Sequence, residues 1–293
     1  MAGPLDRTLN RLRAAAAPAA LGAAAQRALK GADRSRGIYP ALGELARRYR
    51  DTGTWEPPDL TAFELRVFSQ NGEDGVLAEI LRRIGVAGGA FAEFGVQDGS
   101  EGTTVFLAQV LGWSGAYLEA DTAAYAALER RFSASPRVRT LHAAVEPGNV
   151  EALFEQAGVP EEPDVVSIDV DGNDYWIWRA LERFRPRVVV IEYNGDLDPA
   201  SEQVMPYTPG FRWDHSSGYG ASLRALEALG AEKGYTLVHT ESAGVNAFFV
   251  RADLAAPLPS GDAVPRRSAN HALMGLGHPS PRHPPEFEAR PPR

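Results

Sequence analysis

The chain has no cysteine. That excludes disulfides, thiolate zinc sites and cysteine nucleophiles together, and leaves oxygen or histidine donors for any metal. Lysine is almost absent: Lys30 and Lys233 are the only two, so nearly all positive charge is arginine and little lysine chemistry is open. No apolar run approaches the ~18 residues that a membrane span needs, and no membrane partner is expected. The missing cysteine fits a cytoplasmic location. What remains is ordinary globular composition, with 293 residues of which 44% are hydrophobic and 23% charged. Such a chain can bury one large core and still carry extensions.

Charge divides the chain. Residues 1–50 hold ten Lys/Arg against three Asp/Glu, a net of +7, so with a total of −8 the residues from 51 onward carry −15. The basic stretch from Arg7 through Ala14–Ala17 to Arg27 is alanine-rich and reads as helix, interrupted at Pro18 and Gly22. Asp6 and the lack of a continuous apolar segment count against a secretion signal. The stretch is too short and alanine-rich for a dedicated nucleic-acid motif, and the acidic remainder repels phosphate, so no nucleic acid is expected. Residues 1–62 are therefore expected to be a helical extension that covers the main domain or a partner subunit, which makes a homo-oligomer through this segment possible. Residues 252–293 hold nine prolines and few apolar anchors. They are expected to form an extended or disordered tail lying over a neighbouring surface.

Between them, residues 63–251 alternate short apolar runs with helical patterns, the signature of a mostly parallel sheet with crossover helices. Strands are expected at Ala90–Phe94, Ala116–Glu119, Val138–Ala144, Val165–Asp169 and Val188–Tyr193. The last two are apolar enough for burial on both faces. Helices are expected at Gly75–Arg83, Thr104–Leu111, Tyr125–Phe132, Val150–Ala157, Tyr175–Phe184 and Ala221–Lys233. Two final strands, Tyr235–Thr240 and Ala247–Arg251, flank a turn at Gly244.

The sharpest local signal is Glu93-Phe-Gly95-Val-Gln-Asp98-Gly99, where the first strand gives way to a helix. Glycines there let backbone approach a ligand that a Cβ would strike. The spacing is not the G-x-G-x-x-G of dinucleotide binders. Glu93 and Asp98 bring negative charge where a pyrophosphate wants bare amides. A cationic ligand suits this place better, and S-adenosylmethionine offers both a sulfonium and an ammonium group. Glu119 ends the second strand 20 positions beyond Gly99, where an acidic residue accepts ribose hydroxyls. Asp121 is either a further cofactor contact or the N-cap of the next helix.

Four segments now carry a family resemblance: Ser69-Gln-Asn-Gly-Glu-Asp-Gly75, Glu93–Gly99, Ile168-Asp-Val-Asp-Gly-Asn-Asp-Tyr-Trp176 and Ile191-Glu-Tyr-Asn194. Together they resemble the FkbM-like S-adenosylmethionine-dependent O-methyltransferases over residues 63–251. The resemblance implies a three-layer Rossmann-like class I methyltransferase fold, a mostly parallel sheet closed by a C-terminal antiparallel hairpin. The cofactor would cross the ends of strands one and two, at Gln70, Glu93, Gly95, Asp98, Gly99, Glu119 and Asp121.

A second cluster lies at the ends of strands four and five. Asp169 and Asp171 are two apart, as are Glu192 and Asn194, and residues at i and i+2 of extended chain project to one side. With parallel strands ~4.8 Å apart, these oxygens can converge at the sheet edge where open α/β folds bind ligands. Oxygen-only ligation favours Mg²⁺ or another hard divalent cation, held by Asp169, Glu192 and Asn194. Without a metal, the same carboxylates would bind substrate or act as bases, and Asp169 or Asp174 could instead cap the following helix. His215, among Tyr207, Phe211, Trp213 and Tyr219 in the loop after strand five, is the expected proton acceptor, together with Asp169. His142 and His239 are expected to be structural.

The reaction expected is methyl transfer to a hydroxyl on a small-molecule, sugar or natural-product acceptor. Two rivals are an Asp-x-Asp phosphatase or glycosyltransferase, and a non-catalytic protein that retains cofactor binding.

Overall fold

The computed structural model describes residues 59–270 and 287–291. Residues 1–58 of the expected helical extension, and residues 271–286 and 292–293 of the tail, lie outside the described residues.

Seven strands form the main sheet: β1 Ala90–Phe94, β2 Ser114–Glu119, β3 Val138–His142, β4 Val165–Ile168, β5 Val188–Glu192, β7 Tyr235–Thr240 and β8 Asn246–Arg251. Their spatial order is β3-β2-β1-β4-β5-β8-β7. The first five run parallel, with Phe91 opposite Val165 and Val165 opposite Val188. β8 lies antiparallel between β5 and β7. The pattern predicts a mostly parallel sheet, and the resemblance implies its Rossmann-like form with a closing hairpin; this sheet has both. A separate two-residue ladder joins β6 Gln203–Val204 to β9 Glu288–Ala289.

Side-chain alternation places helices on both faces. Ala92, Phe94, Ala116, Leu118, Val189, Ile191, Ala247 and Phe249 point into one core layer. That layer is roofed by α4 Val150–Ala157, α5 Asp174–Ala180 and α6 Leu223–Lys233. Phe91, Tyr117, Val188, Val190, Phe248 and Val250 point into the other, against α1 Glu73–Arg83, α2 Val105–Gln109 and α3 Thr122–Phe132. Every residue of β4 and β5 is buried, as strands covered on both faces must be.

Local chemistry decides where elements stop. α5 ends at Ala180 instead of running to Phe184. The amides of Glu182 and Arg183 donate to Glu151 Oε1 at 2.8 and 2.6 Å, which pulls the chain off the helical path. The Lys233 ammonium then satisfies the freed Leu181 carbonyl at 2.7 Å. At the hairpin, the buried Glu241 carboxyl accepts amides from Ala243, Val245 and Asn246, fixing the turn at Gly244. Where an extended or disordered tail is expected, the segment after β8 folds into turns and a short 3-10 helix, Gly261–Ala263, with Ala255, Leu258 and Val264 buried. The Tyr193 hydroxyl reaches the Arg267 carbonyl at 2.7 Å. Among the described residues no helix is long and apolar enough to cross a membrane.

Trp178 on α5 is fully buried and packs its ring on Phe249 of β8 at 4.8 Å and on Tyr235 of β7 at 5.9 Å. Trp178→Ala is expected to destabilise the fold by about 3–5 kcal/mol, measured by denaturant titration.

Candidate active site

The strand order reverses between β1 and β4, and ligands of open α/β sheets settle in the crevice outside the strand ends there. Gly95 sits at that reversal with φ +76°, and a Cβ on it would stand 1.9 Å from the Asp169 carbonyl oxygen. Only glycine lets the ends of β1 and β4 come this close. Two residues on, Gln97 also takes positive φ, and its amide donates to Glu119 Oε2 at 2.7 Å. Glu119 Oε1 accepts the amide of Asp121 at 2.7 Å. The carboxylate at the end of β2 thus ties the turn after β1 to the turn after β2.

The remaining residues of the glycine bend stand behind this edge. Glu93 is buried, with its two oxygens taking the amides of Thr103 and Thr104 and the Thr104 hydroxyl at 2.7, 3.0 and 2.6 Å. It shapes the bend from beneath. Burial pushes its pKa up to about 7 against these hydrogen bonds, and Asp74 adds to the rise. Gly99 is also left-handed, but a Cβ there would strike Leu128 at 2.7 Å and Phe132 at 2.8 Å, so its glycine serves packing on α3. Asp98 Oδ1 closes a turn on the Ser100 amide. Asp121 is the N-cap of α3, accepting the Ala123 and Ala124 amides at 2.9 and 2.8 Å. Gln70 is half-buried in the turn before α1. The neighbouring Phe68 carbonyl accepts the Gly102 amide, which sets that turn beside the bend.

At the ends of β4 and β5, Asp169, Asp171 and Glu192 each place a carboxylate oxygen within 4.8 Å of the other two. Asn194, expected as a ligand, is committed elsewhere. Its amide donates to the Ser217 and Tyr219 carbonyls at 2.8 and 2.9 Å, and its oxygen accepts the Asp196 amide. Asp171 completes the trio in its stead. It takes positive φ (58°), which swings its carboxyl back toward Asp169. Burial, then the charges of Asp171 and Asp174, hold Asp169 well above the usual carboxylate range. Glu192 is raised in the same way by burial and by Asp169 and Asp171, and among the described residues its buried Oε2 has no hydrogen-bond partner. Asp171 is raised by loss of hydration and by Glu119, while His215 opposes the rise. Asp174 accepts the Val170 and Gly172 amides, both at 2.8 Å, so its role is to close the turn after β4. Among the described residues no Lys or Arg pairs with Glu93, Glu119, Asp169, Asp171, Asp174 or Glu192.

The loop of residues 205–219 lies above this edge. Asn173 clamps Thr208 through two hydrogen bonds, and the Trp176 indole donates to the Met205 carbonyl at 2.8 Å. Glu146, after β3, accepts the Tyr207 hydroxyl at 2.8 Å and the Gly210 amide at 3.0 Å. The Phe211 ring fills the space a Gly172 side chain would need. His215 is exposed on this loop, its ring 4.6 Å from that of Trp213, and it bears electrostatically on Asp171. Tyr219 is buried beneath it, its hydroxyl driven far above its ordinary pKa by burial and by Glu192. His142 stacks on Tyr125 beside the end of β2, where it pairs in register with Glu119, and the buried His239 meets Glu64 at 3.1 Å. Gln97 and Asn173 lie inside the quoted motifs without a role there, and Glu146 carries no pattern that marks it in the sequence.

No family model matches this chain, and no curated protein does. Among solved structures, the N-terminal domain of EvdMO1 with SAH bound aligns at 15% identity over 59% of this chain and 76% of that one, with a TM-score of 0.39. TYW2 of M. jannaschii in complex with AdoMet aligns at 15% identity over 68% and 79%, with a TM-score of 0.35. The mitomycin 7-O-methyltransferase MmcR aligns at 16% identity over 61% and 56%, with a TM-score of 0.36.

The buried acids predict an unusual pH response. Asp74 is raised to about 6, Glu93 to about 7 and Glu241 to about 8, in each case chiefly by burial. The folded state therefore holds protons that the unfolded state releases near pH 4. The stability this linkage contributes is present below that pH and is lost as pH rises through 6 to 8. The thermal midpoint of the ligand-free protein is expected to fall across that interval, and Glu93→Gln to flatten the slope.

Proposed function

We propose that this chain is an S-adenosylmethionine-dependent methyltransferase acting on a hydroxyl of a small polar acceptor, assisted by a hard divalent cation. One observation carries the reading. Carboxylates that no Lys or Arg among the described residues pairs with crowd the strand-reversal crevice, around a glycine bend whose Gly95 and Gln97 are exposed. Such an arrangement is costly alone and calls for positive charge from a ligand. The partnerless Glu192 Oε2 fits a metal ligand, and the all-oxygen trio fits Mg²⁺ or Mn²⁺.

When bound, the donor supplies an electrophilic methyl group on a sulfonium, and the cation supplies Lewis acidity toward the acceptor hydroxyl. Glu119 accepts the ribose hydroxyls through the lone pairs that its two backbone donors leave. Gly95 leaves the crevice open at the end of β1. Asp169, Asp171 and Glu192 hold the cation. His215 takes the hydroxyl proton. Trp213 and Tyr219 wall the acceptor side and exclude water, leaving the substrate to be held in line. The Asp-x-Asp phosphatase alternative needs a lysine near the carboxylates. Lys233 instead donates to the Arg179 and Leu181 carbonyls, at the far end of α5.

S-adenosylhomocysteine is expected to bind in calorimetry, and Glu119→Ala to weaken it at least about tenfold, or ~1.4 kcal/mol. No detectable binding to the unaltered protein would remove the methyl-transfer reading. Mn²⁺ is expected to bind by electron paramagnetic resonance and to be lost in Glu192→Gln. That same variant is expected to raise the metal-free thermal midpoint at pH 8, because it removes a buried carboxyl whose ionisation the folded state opposes.

A further inference from the structure

The loop that carries Trp213, His215 and Tyr219 must be held in place at both ends. Its entry and exit lie side by side. The Met205 amide donates to the Gly220 carbonyl at 2.8 Å, the Ser222 amide to the Gln203 carbonyl at 2.8 Å, and Val204 bridges Ala221. The Ser222 hydroxyl donates to the Ser201 carbonyl, accepts the Gln203 amide and caps α6 by accepting the Ala225 amide. One flank of residues 203–204 is thus paired with the chain that leaves the loop.

The other flank is taken by a segment from far along the chain. Gln203 pairs with Ala289 and Val204 with Glu288 in the β6–β9 ladder. The next residue, Arg290, donates its amide to the Glu202 carbonyl at 2.9 Å. Its guanidinium forks, with Nε on Glu202 Oε2 at 3.0 Å and Nη1 on Glu232 Oε1 at 2.6 Å. Glu232 belongs to α6, so this one side chain joins the strand before the loop to the helix after it. A two-residue ladder is not stable in water by itself. The forked, charge-assisted pairing supplies what the short ladder lacks.

We propose that residues 288–290 are a strap that sets the 205–219 loop over the sheet edge, with Arg290 as its positioning residue. Tension on this strap reaches the site in two short steps. Residues 203–204 lead directly into Met205, whose carbonyl is held by Trp176, and the exit strand leads back to Tyr219 above Glu192. Naming the loop as the acceptor side rests on the methyl-transfer reading, but the strap does not.

Hydrogen–deuterium exchange on the full chain tests it. In Arg290→Ala, amides of residues 203–222 are expected to lose protection by at least about tenfold, while β1, β4 and β5 keep theirs. The thermal midpoint is expected to stay near that of the unaltered protein. Arg290→Lys reaches one glutamate instead of two and is expected to recover part of the protection. Glu232→Gln, which leaves the ladder and Glu202 intact, is expected to give an intermediate loss. Unchanged exchange at 203–222 in both Arg290→Ala and Glu232→Gln would overturn the proposal, as would loss spread evenly over the whole sheet. S-adenosylhomocysteine binding, measured alongside on the unaltered protein, separates the two readings. Its absence removes methyl transfer and leaves the exchange result standing.

Discussion

Negative charge gathered at one edge of a sheet, with no arginine or lysine among the described residues to meet it, is the constraint on which the rest of this molecule turns. Ordinary folds avoid it, because unpaired charge away from water is expensive. Here the cost is contained by backbone. Asp74 collects the amides of Val67, Phe68 and Ser69. Glu93 collects those after the glycine bend, Glu119 those of the first two turns, Asp174 those of the turn after β4, and Glu241 those of the closing hairpin. Each carboxylate fixes one loop at the carboxyl edge. The loops are ordered by the same charges that make the edge hungry for a cation.

Within this set, Asp169, Asp171 and Glu192 stand apart. Each of the other acids accepts at least two amides of the chain, and Asp74 does so through Oδ2 alone, whereas among the described residues Glu192 Oε2 has no hydrogen-bond partner. That difference separates carboxylates that build the site from those left over to act in it. It also explains why Glu93 and Asp121, acidic and well placed in the sequence, belong to the scaffold.

The layered architecture was legible because periodicity reports burial directly. β1, α4 and β7 fall on the residues that the pattern predicts, and the hydrophobic runs at β4 and β5 are buried throughout. Helix ends were less legible, since α5 is stopped by Glu151, a side chain on a different helix that no local pattern reveals. The site was half legible. Spacing alone placed Asp169 beside Glu192, because it depends only on strands lying parallel. It could not show that the Asn194 amide would turn to hold Ser217 and Tyr219, nor that a left-handed Asp171 would bend back into the gap. Both outcomes depend on a long loop whose path is set by Glu146 and Asn173, residues distant in sequence.

That loop has one consequence for change. Its main fixings fall on residues 203–210 and 216–222, and the span between them adds three of its own: the Phe211 ring packs against Gly172, the Trp213 indole donates to the Ser216 carbonyl, and Asp214 accepts the Ser216 amide. A surface stretch held at both ends tolerates changes of length at little cost to the core. Here that tolerance is narrowed by the identities of Phe211, Trp213 and Asp214, so the crown above the acidic edge can vary only around these three side chains.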